Sequence, residues 1–257
     1  MKTQYLQPFG VEIVAESQQN LLAALPAHRL RAEVAEHRLI VLRGFASPDD
    51  DEMLAFCRQL GDLLEWEFGA VNELVPRAEA GNYLYSNRAV PFHWDGAFAG
   101  RVPHYIFFHC RTAPALGSGG ETIFCDTVRL LEGISSEERA AWERIRITYR
   151  TEKIVHYGGT FTAPMIDHHP VSGQFVLRFA EPVEDVNPVH LSIDGVAAAD
   201  RLAFLARLHE LLNDPSLCYA HAWRANDVLL ADNHALLHGR RAFDGSTPRH
   251  LRRINIL

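Results

Sequence analysis

The sequence is poor in cysteine, and its few cysteines lack metal-binding spacing. Cys57, Cys110, Cys125 and Cys218 stand alone, and no CxxC motif occurs. Zinc knuckles and the disulfide frameworks of small secreted proteins both depend on closely spaced cysteines. The pattern therefore argues against both classes and predicts reduced, mostly buried thiols.

Long apolar runs and an excess of basic charge are also absent. No segment approaches the roughly 18 to 20 apolar residues of a membrane span, and no secretory apolar segment follows residues 1–8. With 25 basic and 32 acidic residues, a net charge of −7, the chain offers no basic face for phosphates. We therefore expect a cytoplasmic protein with a small-molecule partner and neither nucleic acid nor membrane as partner, and homo-oligomer formation stays open.

Repeats, low-complexity tracts and Pro/Gly/Ser linkers are likewise missing. The chain has 257 residues, of which 47% are hydrophobic, so it can bury a sizeable core. We expect a single domain over residues 1–257.

Three segments show helix signals. The first runs from Ser47, a candidate N-cap, to Gly61, and the second begins at Ser135, where Glu138 completes a capping box. The third covers residues 197–213, where leucines recur at three- and four-residue steps.

Seven short apolar segments rich in β-branched or aromatic residues are typical of strands. They are residues 38–45, 104–110, 121–125, 145–151, 174–179, 227–231 and 251–257. Few of them are separated by long helical patterns, which disfavours a doubly wound parallel sheet. The sequence instead predicts a mainly β fold, an antiparallel barrel or sandwich with peripheral helices.

Residues 91–96, PFHWDG, place His93 and Asp95 two positions apart. On an extended strand both side chains leave the same face, so one metal ion can contact both. Imidazole and carboxylate together suit iron, manganese or zinc. HxD also arises often by chance, so taken alone it favours an ordinary structural or solvent-facing pair over a metal site.

Two further motifs lie near the C-terminal end. Residues 232–240, DNHALLHGR, hold His234 and His238, of which only one need bind a metal. In the last strand Arg249, Leu251 and Arg253 share one face. Inward-facing guanidiniums need anionic partners such as carboxylates, because an unpaired buried charge is costly. One of these arginines facing solvent or pairing with an acidic side chain is an equally simple alternative.

The order of these motifs resembles the taurine dioxygenase family of iron(II)/2-oxoglutarate oxygenases. HxD comes early, a histidine follows about 145 residues later, and an arginine stands 11 residues beyond it. The resemblance covers residues 9–257 and implies a double-stranded β-helix, the jelly-roll barrel of these enzymes. It also implies Fe(II), 2-oxoglutarate and O2 as cofactor and co-substrates.

The resemblance assigns roles to individual residues. His93, Asp95 and His238 match the iron ligands, whereas His234 is expected to be packed nearby. Thr122, in GGETIFCD at 119–126, and Arg249 match the residues that hold 2-oxoglutarate, and Arg253 falls where family members bind an anionic substrate group.

Four segments are similar to the tyrosine-isonitrile oxygenases of paerucumarin- and rhabduscin-type pathways: residues 107–110, 119–127, 177–182 and 230–243. Such enzymes of secondary metabolism convert an aromatic amino-acid isonitrile into a vinyl isonitrile with loss of its carboxylate. The resemblance implies that Arg253 holds that carboxylate. The pocket walls are expected among Tyr83, Tyr85, Phe92, Phe98, Tyr157 and Phe161.

Three other functions are open from the sequence. A hydroxylase of another small anion, such as a sulfonate, would use the same iron and 2-oxoglutarate residues. A zinc hydrolase would use the two histidines and the carboxylate but has no evident need for Arg249. A non-enzymatic jelly-roll binding module would need no metal at all.

Overall fold

The computed structural model of the protein describes residues 1–17 and 20–257, and strands dominate it. In chain order the strands are β1 Lys2–Tyr5, β2 Val11–Val14, β3 Leu39–Arg43, β4 Asn72–Leu74, β5 Val90–His93, β6 Tyr105–Thr112, β7 Thr122–Asp126, β8 Arg146–Thr151, β9 Gly159–Pro164, β10 Ile166–His168, β11 Phe175–Leu177, β12 His190–Asp194, β13 Cys218–His221, β14 Val228–Asp232, β15 Leu236–Arg240 and β16 His250–Ile256. The α-helices are α1 Ala27–His37, α2 Asp50–Arg58, α3 Thr127–Gly133, α4 Ser136–Trp142 and α5 Arg201–Leu212. Short 3-10 turns cover Leu22–Ala24, Tyr83–Tyr85, Ala97–Ala99 and Ala198–Asp200.

Two sheets position the site described below. One has seven strands in the order β1-β2-β3-β14-β6-β16-β4, and the other has four in the order β13-β7-β15-β5. A three-stranded sheet, β12-β8-β9, and a β10-β11 pair complete the strands. The pairing is antiparallel except between β2 and β3.

An apolar layer lies between the seven-stranded and four-stranded sheets. Phe108 and Leu229 of the larger sheet belong to the same buried cluster as Phe124 and Leu236 of the smaller one. Strand β16 shows how alternation builds the layer, because Leu251 lies in this cluster while Ile254 packs on the opposite face. Every second residue of β16 therefore points into the space between the two sheets.

Helices cover the outer surfaces. Helices α1 and α2 pack on the far side of the seven-stranded sheet, where Val34 and Phe56 are buried with Ile254. Helices α3, α4 and α5 enclose a separate apolar cluster with the three-stranded sheet, to which Trp142 and Leu208 contribute. The arrangement confirms a mainly β fold with peripheral helices.

The first predicted helix exists, but its boundaries were wrong. Asp49, not Ser47, is the N-cap: its side chain accepts from the backbone N–H of Glu52, whose carboxylate accepts in return from the Asp49 N–H. The helix ends at Arg58 instead of running to Gly61. Gly61 serves close packing, since a Cβ there would lie 2.3 Å from the carbonyl oxygen of Leu257.

The other two helices are confirmed in outline. Ser135 caps α4 by accepting from the Glu138 N–H at 3.1 Å, but the Glu138 carboxylate lies 3.6 Å from Arg207 instead of closing the capping box. The third helix starts late, at Arg201, after a 3-10 turn. Its leucines form an incomplete apolar face, because Leu208 and Leu212 are buried while Leu202 is 83% exposed.

All seven predicted strands are present, with ends that differ from the prediction by no more than two residues. The sequence prediction missed several short or polar strands, among them β5 and β15, which carry the histidines of the candidate site. Among residues 1–17 and 20–257, no helix is both long and apolar enough to cross a membrane.

Candidate metal centre and its two cavities

Strands β5 and β15 bring His93 and His238 together. The two residues are register partners in the four-stranded sheet, and their ring centroids lie 4.2 Å apart. Directly opposite residues in an antiparallel pair project their side chains to the same face. The pairing thus joins two histidines that are distant in the sequence.

Asp95 completes the group from the turn after β5. Its Oδ1 lies 3.7 Å from His93 Nε2 and 3.9 Å from His238 Nε2. The strand ends at His93, so Asp95 reaches the same place from a turn and not from an extended strand. Gly96 makes that turn at φ 101°, and a Cβ there would lie 2.4 Å from the carbonyl oxygen of Arg101.

Asn233 holds the Asp95 backbone in place. Its side chain accepts from the Asp95 N–H at 2.9 Å and donates to the carbonyl oxygens of Asp95 at 3.0 Å and Pro103 at 2.9 Å. Asn233 directly follows β14, so the amide ties this turn to the seven-stranded sheet. Sequence reasoning did not assign it a role, although it stands in the same motif as His238.

The three side chains have the protonation that metal binding requires. Burial lowers the pKa of both imidazoles, and the lowering is large for His238, where the neighbouring His93 adds to it. Burial alone would raise the pKa of Asp95, but Arg253 and the two histidines outweigh it and hold this pKa well below its usual range. Among the described residues, this is also the only group whose His, Cys, Asp or Glu ligand atoms converge, within 4.8 Å of one another.

Arg253 and Asn255 reach Asp95 from strand β16. Arg253 Nη1 lies 3.2 Å from Asp95 Oδ1 and 3.1 Å from Oδ2, and Asn255 Nδ2 donates to Oδ2 at 2.9 Å. Arg253 therefore has an acidic partner on the protein itself. Asn255 was missed, although the alternation that pairs Arg253 with Leu251 also points Asn255 inward.

A cavity of about 350 Å³ extends from the two histidines to Arg249. Thr122 and Arg249 line its far end, and His93, His238 and Arg253 line the near end. Thr122 accepts a hydrogen bond from Trp223 Nε1 at 2.9 Å, which leaves its hydroxyl proton for another acceptor. Trp223 was not singled out because nothing in its sequence neighbourhood marks it.

Two buried arginines near this cavity differ in their partners. The guanidinium of Arg240 donates to the carbonyl oxygens of Tyr83, Leu84, Ser86 and Arg88. Arg249 is 3% exposed, donates through Nε to the Gly120 carbonyl at 3.0 Å, and has no carboxylate within ion-pair distance in residues 1–17 and 20–257. Burial, with Arg240 nearby, lowers its pKa. An unpaired buried guanidinium is costly, so Arg249 is suited to bind an anion.

A larger cavity of about 770 Å³ opens on the other side of the centre. His93, Asp95, Arg253 and Asn255 form one end of it. Small or aliphatic residues and Glu181 line part of the rest, but most of the large side chains there are aromatic: Trp66, Tyr83, Trp94, Phe98, Tyr149, His156 and Tyr157. The two cavities share His93 and Arg253, so ligands in both would meet at the centre.

The expected aromatic walls were partly right. Tyr83, Phe98 and Tyr157 line the larger cavity. Tyr85 and Phe92 do not, because Tyr85 bonds to Asn72 in the apolar layer and Phe92 lies in the cluster under helices α3 to α5. Phe161 packs against Trp94 behind the wall.

His234 lies apart from the centre, as expected. It packs against the rings of His104 and His169, and its Nδ1 bonds to Arg178. Asp232 in turn bonds to His169 at 2.9 Å. This network is structural and lies beside the loop that carries Asn233.

Comparison with known proteins gives a consistent picture. The sequence model of the taurine catabolism dioxygenase TauD, TfdA family matches residues 2–255 of this chain. The 3-((Z)-2-isocyanoethenyl)-1H-indole synthase of Fischerella ambigua is 44% identical over 256 residues, 98% of this chain and 94% of that protein. The tyrosine isonitrile desaturase of Pseudomonas aeruginosa is 40% identical over 238 residues, 90% of this chain and 81% of that protein. The solved structure of PvcB, an Fe, alpha-ketoglutarate dependent oxygenase from an isonitrile synthetic pathway, aligns with a TM-score of 0.80 at 37% identity, covering 96% of this chain and 86% of PvcB.

Proposed function

The chain belongs to the taurine catabolism dioxygenase TauD, TfdA family and is an Fe(II)/2-oxoglutarate-dependent dioxygenase, and we propose that it converts tyrosine isonitrile to a vinyl isonitrile. The reaction is an oxidative decarboxylation and desaturation within isonitrile biosynthesis. The observation that carries the proposal is the pair of cavities that meet at His93 and Arg253. One ends at Arg249, which is buried and has no acidic partner among the described residues, and the other has largely aromatic walls.

The residues of the centre fit Fe(II), and we assign His93, Asp95 and His238 as its ligands. His93 Nδ1 lies 2.9 Å from the carbonyl oxygen of Pro91, so this nitrogen carries the proton and Nε2 keeps a lone pair. His238 Nδ1 is buried and has no partner among the described residues. Two neutral imidazoles and one carboxylate are the donor set of non-haem Fe(II) oxygenases and leave positions for other ligands.

The smaller cavity suits 2-oxoglutarate. Arg249 can pair bidentately with its distal carboxylate, since no described residue accepts a hydrogen bond from either terminal nitrogen of the guanidinium. Thr122 adds a hydroxyl donor, because its oxygen already accepts a hydrogen bond from Trp223 Nε1 and its proton is left for the ligand. The keto-acid end of the molecule would then extend toward His93 and His238.

The larger cavity suits an aromatic substrate with one carboxylate. We assign Arg253 to that carboxylate, because Nη1 is engaged by Asp95 while the guanidinium also faces the cavity. The apolar walls exclude water and hold the substrate ring. The carbon that bears the isonitrile group and the benzylic carbon beside it would then lie between Arg253 and the aromatic walls, next to the centre.

The chemistry balances without a further reactant. Iron(II), when bound, supplies the two-electron oxidation in which oxygen and 2-oxoglutarate become water, succinate and carbon dioxide. The substrate loses one benzylic hydrogen and its carboxylate, the latter as carbon dioxide, and gains a carbon–carbon double bond. The two electrons that it gives up, with that hydrogen and one proton from solvent, reduce the second oxygen atom to water. The task of Arg253 is to fix the carboxylate so that the benzylic carbon faces the centre.

We further propose that residues 1–257 form one domain and that the two facing sheets form the jelly-roll barrel of the family. The shared apolar layer between the sheets and the family match over residues 2–255 support both proposals. A cytoplasmic enzyme that works on a small molecule, without nucleic acid or membrane, fits the net charge of −7.

The proposal is tested by adding tyrosine isonitrile to the iron-loaded enzyme with 2-oxoglutarate in air. Succinate should form in step with substrate consumption, and the methyl ester of the substrate should be a poor substrate because it lacks the charge that Arg253 binds. Succinate formation that is independent of the isonitrile would contradict the proposal.

A further inference from the structure

His156 stands in the wall of the larger cavity without a hydrogen-bond partner among the described residues. Its ring meets those of Trp66, Phe68 and Tyr157 at 4.6, 5.2 and 5.3 Å, in each case edge-on. These contacts fix the orientation of the imidazole but use neither of its nitrogens. The ring is half-buried, so the nitrogens are costly to leave unpaired once a ligand displaces water.

The imidazole of His156 is neutral at physiological pH. Burial lowers its pKa to about 4, and the charge of Arg253 adds to the lowering while Asp95 opposes it. A neutral imidazole has one nitrogen that accepts a hydrogen bond. His156 therefore offers an acceptor in a wall that is largely aromatic and aliphatic.

Two other polar groups of this wall already accept hydrogen bonds from the protein. The Tyr157 hydroxyl accepts from Asn82 Nδ2 at 2.8 Å, and the Tyr149 hydroxyl accepts from the Ala180 N–H at 3.2 Å. Phe98 stacks on Tyr157 with the ring centroids 5.9 Å apart and adds only apolar surface. Trp94 Nε1 also lacks a partner among the described residues, but an indole N–H can only donate. His156 is thus an acceptor in this wall that is free to bind a ligand.

The position of His156 indicates which part of the substrate it contacts. Arg253 marks the end of the cavity where the carboxylate lies, and the aromatic wall of Trp66, Phe98 and His156 is left for the ring. The large aromatic side chains of the wall suit a phenol and an indole alike, so apolar contact alone does not choose between them. A directed hydrogen bond discriminates more strongly than volume does.

We infer that His156 accepts a hydrogen bond from the substrate ring, and that the enzyme selects aromatic amino-acid isonitriles whose ring carries a polar hydrogen. That hydrogen is the O–H of a phenol or the N–H of an indole. The inference rests on the proposed function. The relatives from Pseudomonas aeruginosa and Fischerella ambigua are named for a tyrosine-derived and an indole compound, which share this group.

The test uses two pairs of isonitriles that differ in the polar hydrogen. One pair derives from tyrosine and phenylalanine, the other from tryptophan and 1-methyltryptophan. Dissociation constants are measured by equilibrium dialysis with the enzyme loaded with Fe(II) and 2-oxoglutarate, in the absence of oxygen. Wild type is compared with His156→Phe, which keeps a ring, His156→Gln, which restores an acceptor, and the control His168→Phe, at an exposed position outside the cavity.

For wild type and His168→Phe, the member with the polar hydrogen should bind about 5- to 30-fold more tightly in at least one pair. The pair that shows the larger ratio identifies phenol or indole as the preferred ring. In His156→Phe the ratio should fall to about 2 or less, and His156→Gln should recover part of it. A wild-type ratio near 1 in both pairs, or a ratio that survives in His156→Phe, would overturn the inference.

Turnover in air separates this inference from the proposed function. If wild type converts all four isonitriles equally well, the role of His156 is wrong while the proposed reaction stands. If wild type converts and binds none of them, both the proposed reaction and the inference about the ring are wrong.

Discussion

Arg253 and Asp95 form a buried ion pair that joins the last strand of the larger sheet to the metal centre at the edge of the smaller one. Nη1 of Arg253 lies within 3.2 Å of both carboxylate oxygens. The sequence alone assigned these residues to separate tasks, substrate binding and metal binding. Because the two residues are in contact, a change at Arg253 affects both metal binding and substrate binding.

Replacing Arg253 should therefore weaken metal and substrate binding together. Removing one partner of a buried ion pair leaves an uncompensated charge, which raises the pKa of Asp95 and loosens its position. We expect Arg253→Ala to lower iron affinity about 10-fold or more and to lose turnover of tyrosine isonitrile, while Arg253→Lys keeps most of the iron affinity. Iron titration under anaerobic conditions measures the first effect. Wild-type iron affinity in Arg253→Ala would show that the pair does not support the centre.

Loss of any one ligand should abolish iron binding. His93→Ala, Asp95→Ala and His238→Ala each remove one of three converging donor atoms. Metal analysis after anaerobic loading should find little iron in folded protein, as judged by circular dichroism. His234→Ala is the matched control from the same motif, and it should keep its iron because His234 faces His104 and His169. Wild-type iron content in the three ligand variants would refute the assignment.

Arg249 should control the requirement for 2-oxoglutarate. Arg249→Ala removes a charge-assisted bidentate contact, so the concentration for half-maximal activity should rise by about one to three orders of magnitude. Arg241→Ala is the control, because Arg241 is exposed and does not line the smaller cavity. An unchanged 2-oxoglutarate requirement in Arg249→Ala would reject the role of this residue.

Trp223 should act on 2-oxoglutarate through Thr122. The indole N–H of Trp223 donates to the Thr122 hydroxyl oxygen, so the hydroxyl proton is directed into the cavity. Trp223→Phe removes that donor but keeps a ring, and we expect the 2-oxoglutarate requirement to rise a few-fold. Thr122→Val should cause a rise at least as large, and the double variant should add little to it. Additive effects in the two variants would show that Trp223 acts by another route.

Acid should destabilise the protein through His109. This imidazole is fully buried and bonds to Arg252, and burial together with that arginine lowers its pKa to about 4. The unfolded chain binds a proton below pH about 6.5 that the native chain does not, so stability falls as the pH falls toward 4. His109 should account for about 1 to 2 kcal/mol of the loss between pH 7 and pH 5. Urea unfolding at both pH values checks this, and in His109→Asn the loss should be smaller by that amount.

The sequence predicts the parts of the site that stand in short motifs. HxD, the histidine of DNHALLHGR and the arginines of the last strand are visible because neighbouring positions and strand alternation limit where their side chains point. The mainly β fold was predictable as well, since short apolar segments such as that of β14 are typical of buried strands.

Contacts between distant segments could not be predicted in this way. The register that sets His93 opposite His238 depends on how β5 and β15 pair, and β5 carries too few apolar residues to be identified as a strand. The bond from Trp223 to Thr122 and the clamp of Asn233 on Asp95 likewise depend on tertiary packing. Phe92 was wrongly placed in the substrate pocket although alternation puts it on the opposite face from His93.

The most direct measurement of the proposed reaction is the mass of the product formed from tyrosine isonitrile. Oxidative decarboxylation with desaturation predicts a product about 46 mass units lighter than the substrate, formed together with succinate in equal amounts. Hydroxylation predicts a product about 16 mass units heavier that keeps the carboxylate. The lighter product is the result we expect. The heavier product, or succinate without loss of the substrate carboxylate, would contradict the vinyl-isonitrile assignment.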